Sequence, residues 1–329
     1  MLYLGIDISK NKLDSCLLFD EGRRKRTKIV ANSRVGCTEL LAWLKRHWPD
    51  VPLPQVHVVM EGTGIYHEVA ACALHDAGLK VSVINPAHAR DFAKALGVHS
   101  KTDAIDSQVL ALFAQRMIPA AWQRPAEPVR QLQAMLSRRQ ALQKDLLRER
   151  NRQEKALAAG TTQLVQQSLQ RSIAFLRQQI DELQSQIDDH IDGHPQFRED
   201  AKLLRSIPGV GSKLGALMVA LLCAKRFASA EQLAAYLGLA PVQRLSGSSL
   251  KGRSRLSKTG PAQVRAMLYL PAVVATRCNA HIKALYERLL KAGKTKMSAI
   301  GAAMRKLVHL CFGVWKTRQP YRADWPLNA

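Results

Sequence analysis

The spacing of apolar residues changes near residue 120, and that change divides what this chain can fold into. Before it, short β-rich stretches alternate with stretches of helical periodicity. After it, only helical periodicity and one polar loop remain. In the first part, residues 2–7, 12–19, 26–31, 55–60 and 80–84 are predicted strands. Residues 37–48, 66–76, 87–96 and 103–116 are predicted helices, closed by Pro49, Gly78 and similar stops. Three strands, a helix, then alternating strand and helix is the order of a ribonuclease-H-like α/β sheet. Pro119, Pro125 and Pro128 mark a linker, so a first domain is predicted over 1–121.

Two long helical stretches, 130–157 and 162–191, follow. In the second, Leu169, Ile173, Leu176, Ile180, Leu183 and Ile187 recur at alternating four and three spacing, a heptad seam. It predicts one helix packing on its own domain, a coiled-coil hairpin within the chain, or a coiled coil shared between chains, over a linker of residues 122–195. The remainder, 196–329, reads as an all-α domain. Its opening LLRSIPGVGSKLGALM resembles a helix-hairpin-helix, in which Gly209 and Gly211 let the backbone approach a phosphate beside Lys213. The plainer alternative is a turn joining two helices. PVQRLSGSSLKGRSRLSKTG, residues 241–260, is too polar for a helix and reads as a loop.

Charge sharpens the division. Residues 1–121 hold 15 basic and 12 acidic side chains, whereas 122–329 hold 34 and 14. The last 129 residues carry 22 basic side chains against Glu231, Glu287 and Asp324 alone. Such a half cannot neutralise itself by ion pairing, and nucleic-acid phosphates are its natural counter-ions, with a solvated basic surface or attraction to an anionic membrane as the plainer alternatives. The six cysteines are scattered, with neither a disulfide pattern nor zinc spacing. No apolar run approaches about 18 residues and the first residues lack a signal-peptide layout, which together predict a cytoplasmic protein with no membrane partner.

Four acids fall where phosphoryl-transfer chemistry would place them. Asp7 ends the first strand, Glu61 ends the central one, and Asp103 and Asp106 lie three apart at a helix start. Carboxylate oxygens converging from strand ends and a helix suit Mg²⁺ or Mn²⁺. GIDISK also resembles the first phosphate loop of actin and sugar-kinase ATPases. The second Asp-Gly loop and the Gly-rich adenosine motif those proteins need are absent, as are GxxxxGK[ST] and GxGxxG.

Taken together, GIDISKNKLD, VVMEGTGIY, VSVINPAHARDFAKALGVHSKTDAIDSQVLA, LLRSIPGVGSKLGALM, YLGLAPVQRLSGSSLKGRSRLSKTG and AAMRKLVH resemble the IS-one-ten family of insertion-sequence transposases, relatives of the Piv invertase. The resemblance covers nearly the whole chain, in order. It implies a RuvC-like DEDD domain joined by a coiled coil to a transposase domain bearing a serine nucleophile. The DEDD positions are Asp7, Glu61, Asp103 and Asp106, and the serine is Ser246, the first of SGSS. It further implies a DNA recombinase acting on donor and target DNA, guided by a structured bridge RNA, in a homo-oligomer (dimer or tetramer). From the residues alone, Ser246 has little preference over Ser248, Ser249 or Ser254. A serine needs a base or metal to take its proton. Arg244, Lys251, Arg253, Arg255 and Lys258 supply positive charge for the phosphate. The competing readings are a RuvC-like nuclease using water and a non-catalytic DNA- or RNA-binding protein.

Overall fold

The computed structural model describes the chain apart from residues 20–23, 63, 65, 99, 101, 244, 247–249, 252–254 and 325–329. It divides into two compact units, Met1–Arg124 and Pro125–Ala329.

The first unit is a five-stranded mixed sheet covered by helices. Strands β1 (Leu2–Ile8), β2 (Lys12–Phe19), β3 (Arg24–Ala31), β4 (Val56–Glu61) and β5 (Lys80–Ile84) lie in the order β3-β2-β1-β4-β5. The first three pair antiparallel and β1, β4 and β5 pair parallel. On one face Leu4, Ile6, Leu13 and Leu17 bury against α1 (Arg34–His47) and α2 (His67–Asp76). On the other, Val59 and Ile84 pack with α3 (Pro86–Ala95) and α4 (Asp103–Met117) through Ala89, Leu110 and Phe113. β4 and β5 also grip the segment leaving α4. The buried His57 Nε2 meets Ser82 Oγ at 2.9 Å, Ser82 Oγ reaches the Ala120 carbonyl at 2.8 Å, and the Trp122 amide donates to the Val81 carbonyl at 2.7 Å.

The second unit opens with α5 (Glu127–Ala158) and α6 (Gln163–Asp192), an antiparallel helical hairpin reversed at Gly160, whose φ is +63°. Ile173 and Ile187 are buried, and Leu169, Leu176, Ile180 and Leu183 are half-buried, so the six-residue stripe is the packed side of α6. Arg139 is the exception in this seam. It is 2% exposed, donates to Gln184 Oε1, and its Nε has no partner. Gln184 in turn donates to Asp188. Leu132, Leu136 and Ile187 belong to the same core as α7 (Pro195–Arg205), α8 (Ser212–Ala224), α9 (Ala230–Tyr236), α10 (Ala262–Cys278), α11 (Ala280–Lys291) and α12 (Lys296–Thr317). α12 is long and apolar enough to cross a membrane, contrary to the sequence-based expectation of no such stretch. However, 56% of that window is buried inside the unit, where Leu307, Val308 and Cys311 fill the core.

The expected loop at 241–260 is instead built on short β-ladders. β6 (Pro241–Val242) pairs with β9 (Arg255–Leu256), and β7 (Leu245–Ser246) pairs with β8 (Leu250–Lys251), all antiparallel. Two-residue ladders leave no period for a sequence pattern to display.

Candidate active site

The carboxylate site begins with strand register. Asp7 on β1 lies directly opposite Asp14 on β2. β1 and β4 run in parallel register up to Ile6 and Met60, so the next step sets Asp7 beside Glu61 at neighbouring strand ends. Paired residues project from the same face of a sheet, and Gly5 and Asp7, two apart, share that face. Helix α4 crosses there. A Cβ built on Gly5 would meet the Ser107 carbonyl oxygen at 2.0 Å and the Ala111 nitrogen at 2.2 Å. One turn earlier on the same helix come Asp103 and Asp106. Thr102 caps α4, its Oγ1 accepting from the Ile105 amide at 3.3 Å. Both acids therefore occupy the first turn, where the free amide ends favour negative charge.

The electrostatics agree with this proximity. The Asp7 carboxyl is pushed above the usual range, first by burial and then by the negative charges of Asp106, Asp103 and Asp14. Asp14 is not singled out by any sequence motif. It is 5% exposed, and like charges directly opposite on a sheet are destabilising unless something compensates. Lys12 compensates in part, with Nζ 2.7 Å from Asp103 Oδ2 and 3.1 Å from Asp14 Oδ2. Those two bonds hold the Lys12 ammonium above its ordinary range. Asn32 is likewise invisible in the sequence. Its Nδ2 donates to the Ser9 carbonyl at 2.8 Å and the Tyr66 carbonyl at 3.0 Å, tying the turn after β1 to the loop after β4.

Among the described residues, no group of three His, Cys, Asp or Glu side chains is gathered closely enough to chelate an ion. Even so, the donor set suits one. Every nearby acid is a hard oxygen ligand, and the negative charges that add to burial in raising Asp7 are what a divalent cation relieves.

In the second unit, Ser246 is paired with Leu250 in the outer ladder of the hairpin. Arg255 and Lys258 are exposed at its base, and the Lys258 backbone takes φ +55°. The strand backbone at Lys251 is described, whereas Arg244 and Arg253 lie outside the described residues. The hairpin base is fixed by Leu256, whose Cδ1 would lie 3.3 Å from a Cβ on Gly301 of α12. Arg265, not singled out from sequence, donates to the Leu237 and Gly260 carbonyls beside it.

The two glycines of the PGVG turn differ. Gly209 has φ +100°, and a Cβ there would meet the Ala275 Cβ at 2.8 Å and the Pro271 carbonyl at 3.1 Å. Its lack of a side chain serves packing against α10. A Cβ on Gly211 would meet nothing within 4 Å, and Gly211 is the N-cap of α8 with no side chain capping the helix. Lys213 is exposed in the first turn of α8. Of the two glycines, only Gly211 stands in open surroundings, at the start of α8.

Comparison with known proteins settles the relationship. The chain is 34% identical to the pilin gene-inverting protein of Moraxella bovis over 97% of both chains. Residues 4–160 match the IS110 DEDD transposase family profile, and residues 201–287 match that of the IS116/IS110/IS902 transposase family. The chain belongs to the IS110 family of transposases. A more distant relative is the uncharacterized 43.6 kDa protein of insertion element IS110 from Streptomyces coelicolor, 29% identical over 51% of this chain and 40% of its own length. The chain is therefore a DNA-recombining enzyme of insertion-sequence type, with DNA as its partner.

Proposed function

We propose that the chain cuts and rejoins DNA through a covalent phosphoserine intermediate, with Asp7, Glu61, Asp103 and Asp106 as the metal-holding set and Ser246 as nucleophile. On this reading the first unit is a RuvC-like, ribonuclease-H-like domain, a reading supported by the strand order β3-β2-β1-β4-β5. The α5–α6 hairpin is read as its coiled coil. The observation that carries the proposal is the crossing of α4 over Gly5, which sets Asp103 and Asp106 over the strand that bears Asp7.

Bound Mg²⁺ or Mn²⁺ supplies charge neutralisation at the scissile phosphate. The chain's own residues do the rest. The Ser246 oxygen forms a bond to phosphorus as the deoxyribose oxygen leaves, and the serine proton ends on that leaving oxygen. An incoming DNA hydroxyl then displaces Ser246 by the reverse step. Arg255 and Lys258 hold the phosphate as its charge grows. The resemblance to the bridge-RNA-guided recombinases extends the proposal to a structured guide RNA and to a homo-oligomer.

The test is to trap reactions on labelled DNA under denaturing conditions. Wild type should give a covalent protein–DNA adduct, and Ser246→Ala should bind DNA without forming one. Clean free ends and no adduct from active wild type would favour a nuclease using water. An adduct that persists in Ser246→Ala but is lost in Ser248→Ala would move the nucleophile two residues along.

A further inference from the structure

We propose that strand β3, the outer edge of the sheet in the first unit, is a track for the backbone of the DNA strand being cut. The inference rests on the recombinase reading and adds where that strand lies.

Five of the six residues 23–28 are basic. Outside them, residues 1–121 hold ten basic and twelve acidic side chains, so this segment carries the whole positive excess of its unit. β3 lies at the edge of the sheet, and Arg24, Lys25 and Arg26 are exposed on it, with Lys28 half-exposed. An edge strand also presents unpaired main-chain amides, which donate to phosphate oxygens. A single lysine is enough to guard an edge against pairing with another chain, and that role does not call for a run of cations.

Register connects the run to the carboxylates. Ile29 lies opposite Asp14, and Asp14 lies opposite Asp7. Lys28 is one residue from that row of acids but, with Arg24 and Arg26, projects from the other face of the strand, whereas Lys25 shares the acids' face about 13 Å along the strand from Ile29. A phosphate held at the acids would have its neighbours on the same nucleic-acid strand over Lys25, with the long side chains of Arg24, Arg26 and Lys28 reaching the edge from the other face. Two of the cations are also held in place. Lys25 Nζ donates to Gln108 of α4 at 2.7 Å, and the Arg26 guanidinium sits 5.9 Å from the centre of the Trp48 ring. Side chains ordered in advance lose less entropy when a ligand arrives.

The test measures binding of full-length protein to duplex DNA and to a structured RNA by fluorescence anisotropy across a range of NaCl. Lys25→Gln/Arg26→Gln/Lys28→Gln should make the log–log salt slope on duplex DNA shallower by about two to three units, near 0.9 for each phosphate no longer neutralised. Lys45→Gln/Arg46→Gln, exposed on α1, should leave it unchanged. Should thermal unfolding reveal damage in the triple variant, Lys25→Gln alone should remove about one unit. An unchanged slope and affinity on DNA would overturn the track, as would a loss confined to RNA. Wild-type protein that fails to bind DNA at all would instead sink the recombinase reading itself.

Discussion

Gly5 and Ser107 approach so closely that a methyl group on Gly5 would fall 2.0 Å from the Ser107 carbonyl oxygen. Backbone cannot yield as a flexible side chain does, so Gly5→Ala must push α4 off β1. We expect it to cost about 3 kcal/mol, at the upper end for an overpacked core, and to draw Asp103 and Asp106 away from Asp7. Urea unfolding measures the first effect and metal-dependent DNA cleavage the second. An alanine variant with wild-type stability and activity would contradict the crossing geometry.

Divalent metal should stabilise the folded protein before any DNA is added. At a hundred times its Kd, Mg²⁺ or Mn²⁺ should add about 2.7 kcal/mol to stability, seen as a rise in Tm. Asp7→Asn and Asp103→Asn should each remove most of that rise, since each deletes a hard oxygen charge from the set. Equal metal-induced shifts in wild type and both variants would place the metal elsewhere.

The buried His57 makes stability fall on the acid side. Burial, aided by the charge of Lys80, holds its pKa down to about 4 against an ordinary 6.5. Below pH 6.5 the unfolded chain takes up a proton that the folded chain refuses. Stability therefore drops as pH falls from about 6.5 to about 4, by roughly 3 kcal/mol in all. His57→Gln keeps a polar group for Ser82 but does not titrate. Its unfolding free energy should lose that part of the pH slope, and parallel curves for the two proteins would refute the assignment.

Gly209 and Gly211 look alike in the sequence but should respond differently to alanine. Gly209→Ala meets both a left-handed φ and the Ala275 side chain, so it should destabilise the second unit by about 2 kcal/mol or more. Gly211→Ala enters open space at ordinary φ and should leave Tm nearly unchanged while weakening DNA binding if this turn receives a phosphate. A matched loss of stability in both variants would mean that the turn is only a joint.

The contrast marks what the sequence can carry. The strands and helices of the first unit, and the paired acids at 103 and 106, are legible because apolar periodicity and caps are local signals. Asp14 is not. In LDSCLLF it is one acid among apolar neighbours, and only the β1–β2 register reveals that it faces Asp7. Asn32 acts through two backbone carbonyls from separate turns, which no spacing encodes. Gly209 packs against α10, more than sixty residues later. The serine hairpin escapes because each of its ladders is two residues long.

Arg139 gives the α5–α6 hairpin a further property. A guanidinium only 2% exposed finds its acceptor, Gln184, on the opposing helix. Sliding α6 so that Ile180 took the place of Gln184 would strand that charge away from its acceptor, at a cost of several kcal/mol, whereas the opposite slip would bring up Asp188, one turn along. Apolar packing alone would tolerate such slippage far better. With thirty residues in α6 at about 1.5 Å each, the reversal at Gly160 stands about 45 Å from the helix's far end. The buried arginine thus makes a sticky pair of helices directional, closed to the slip that would meet Ile180.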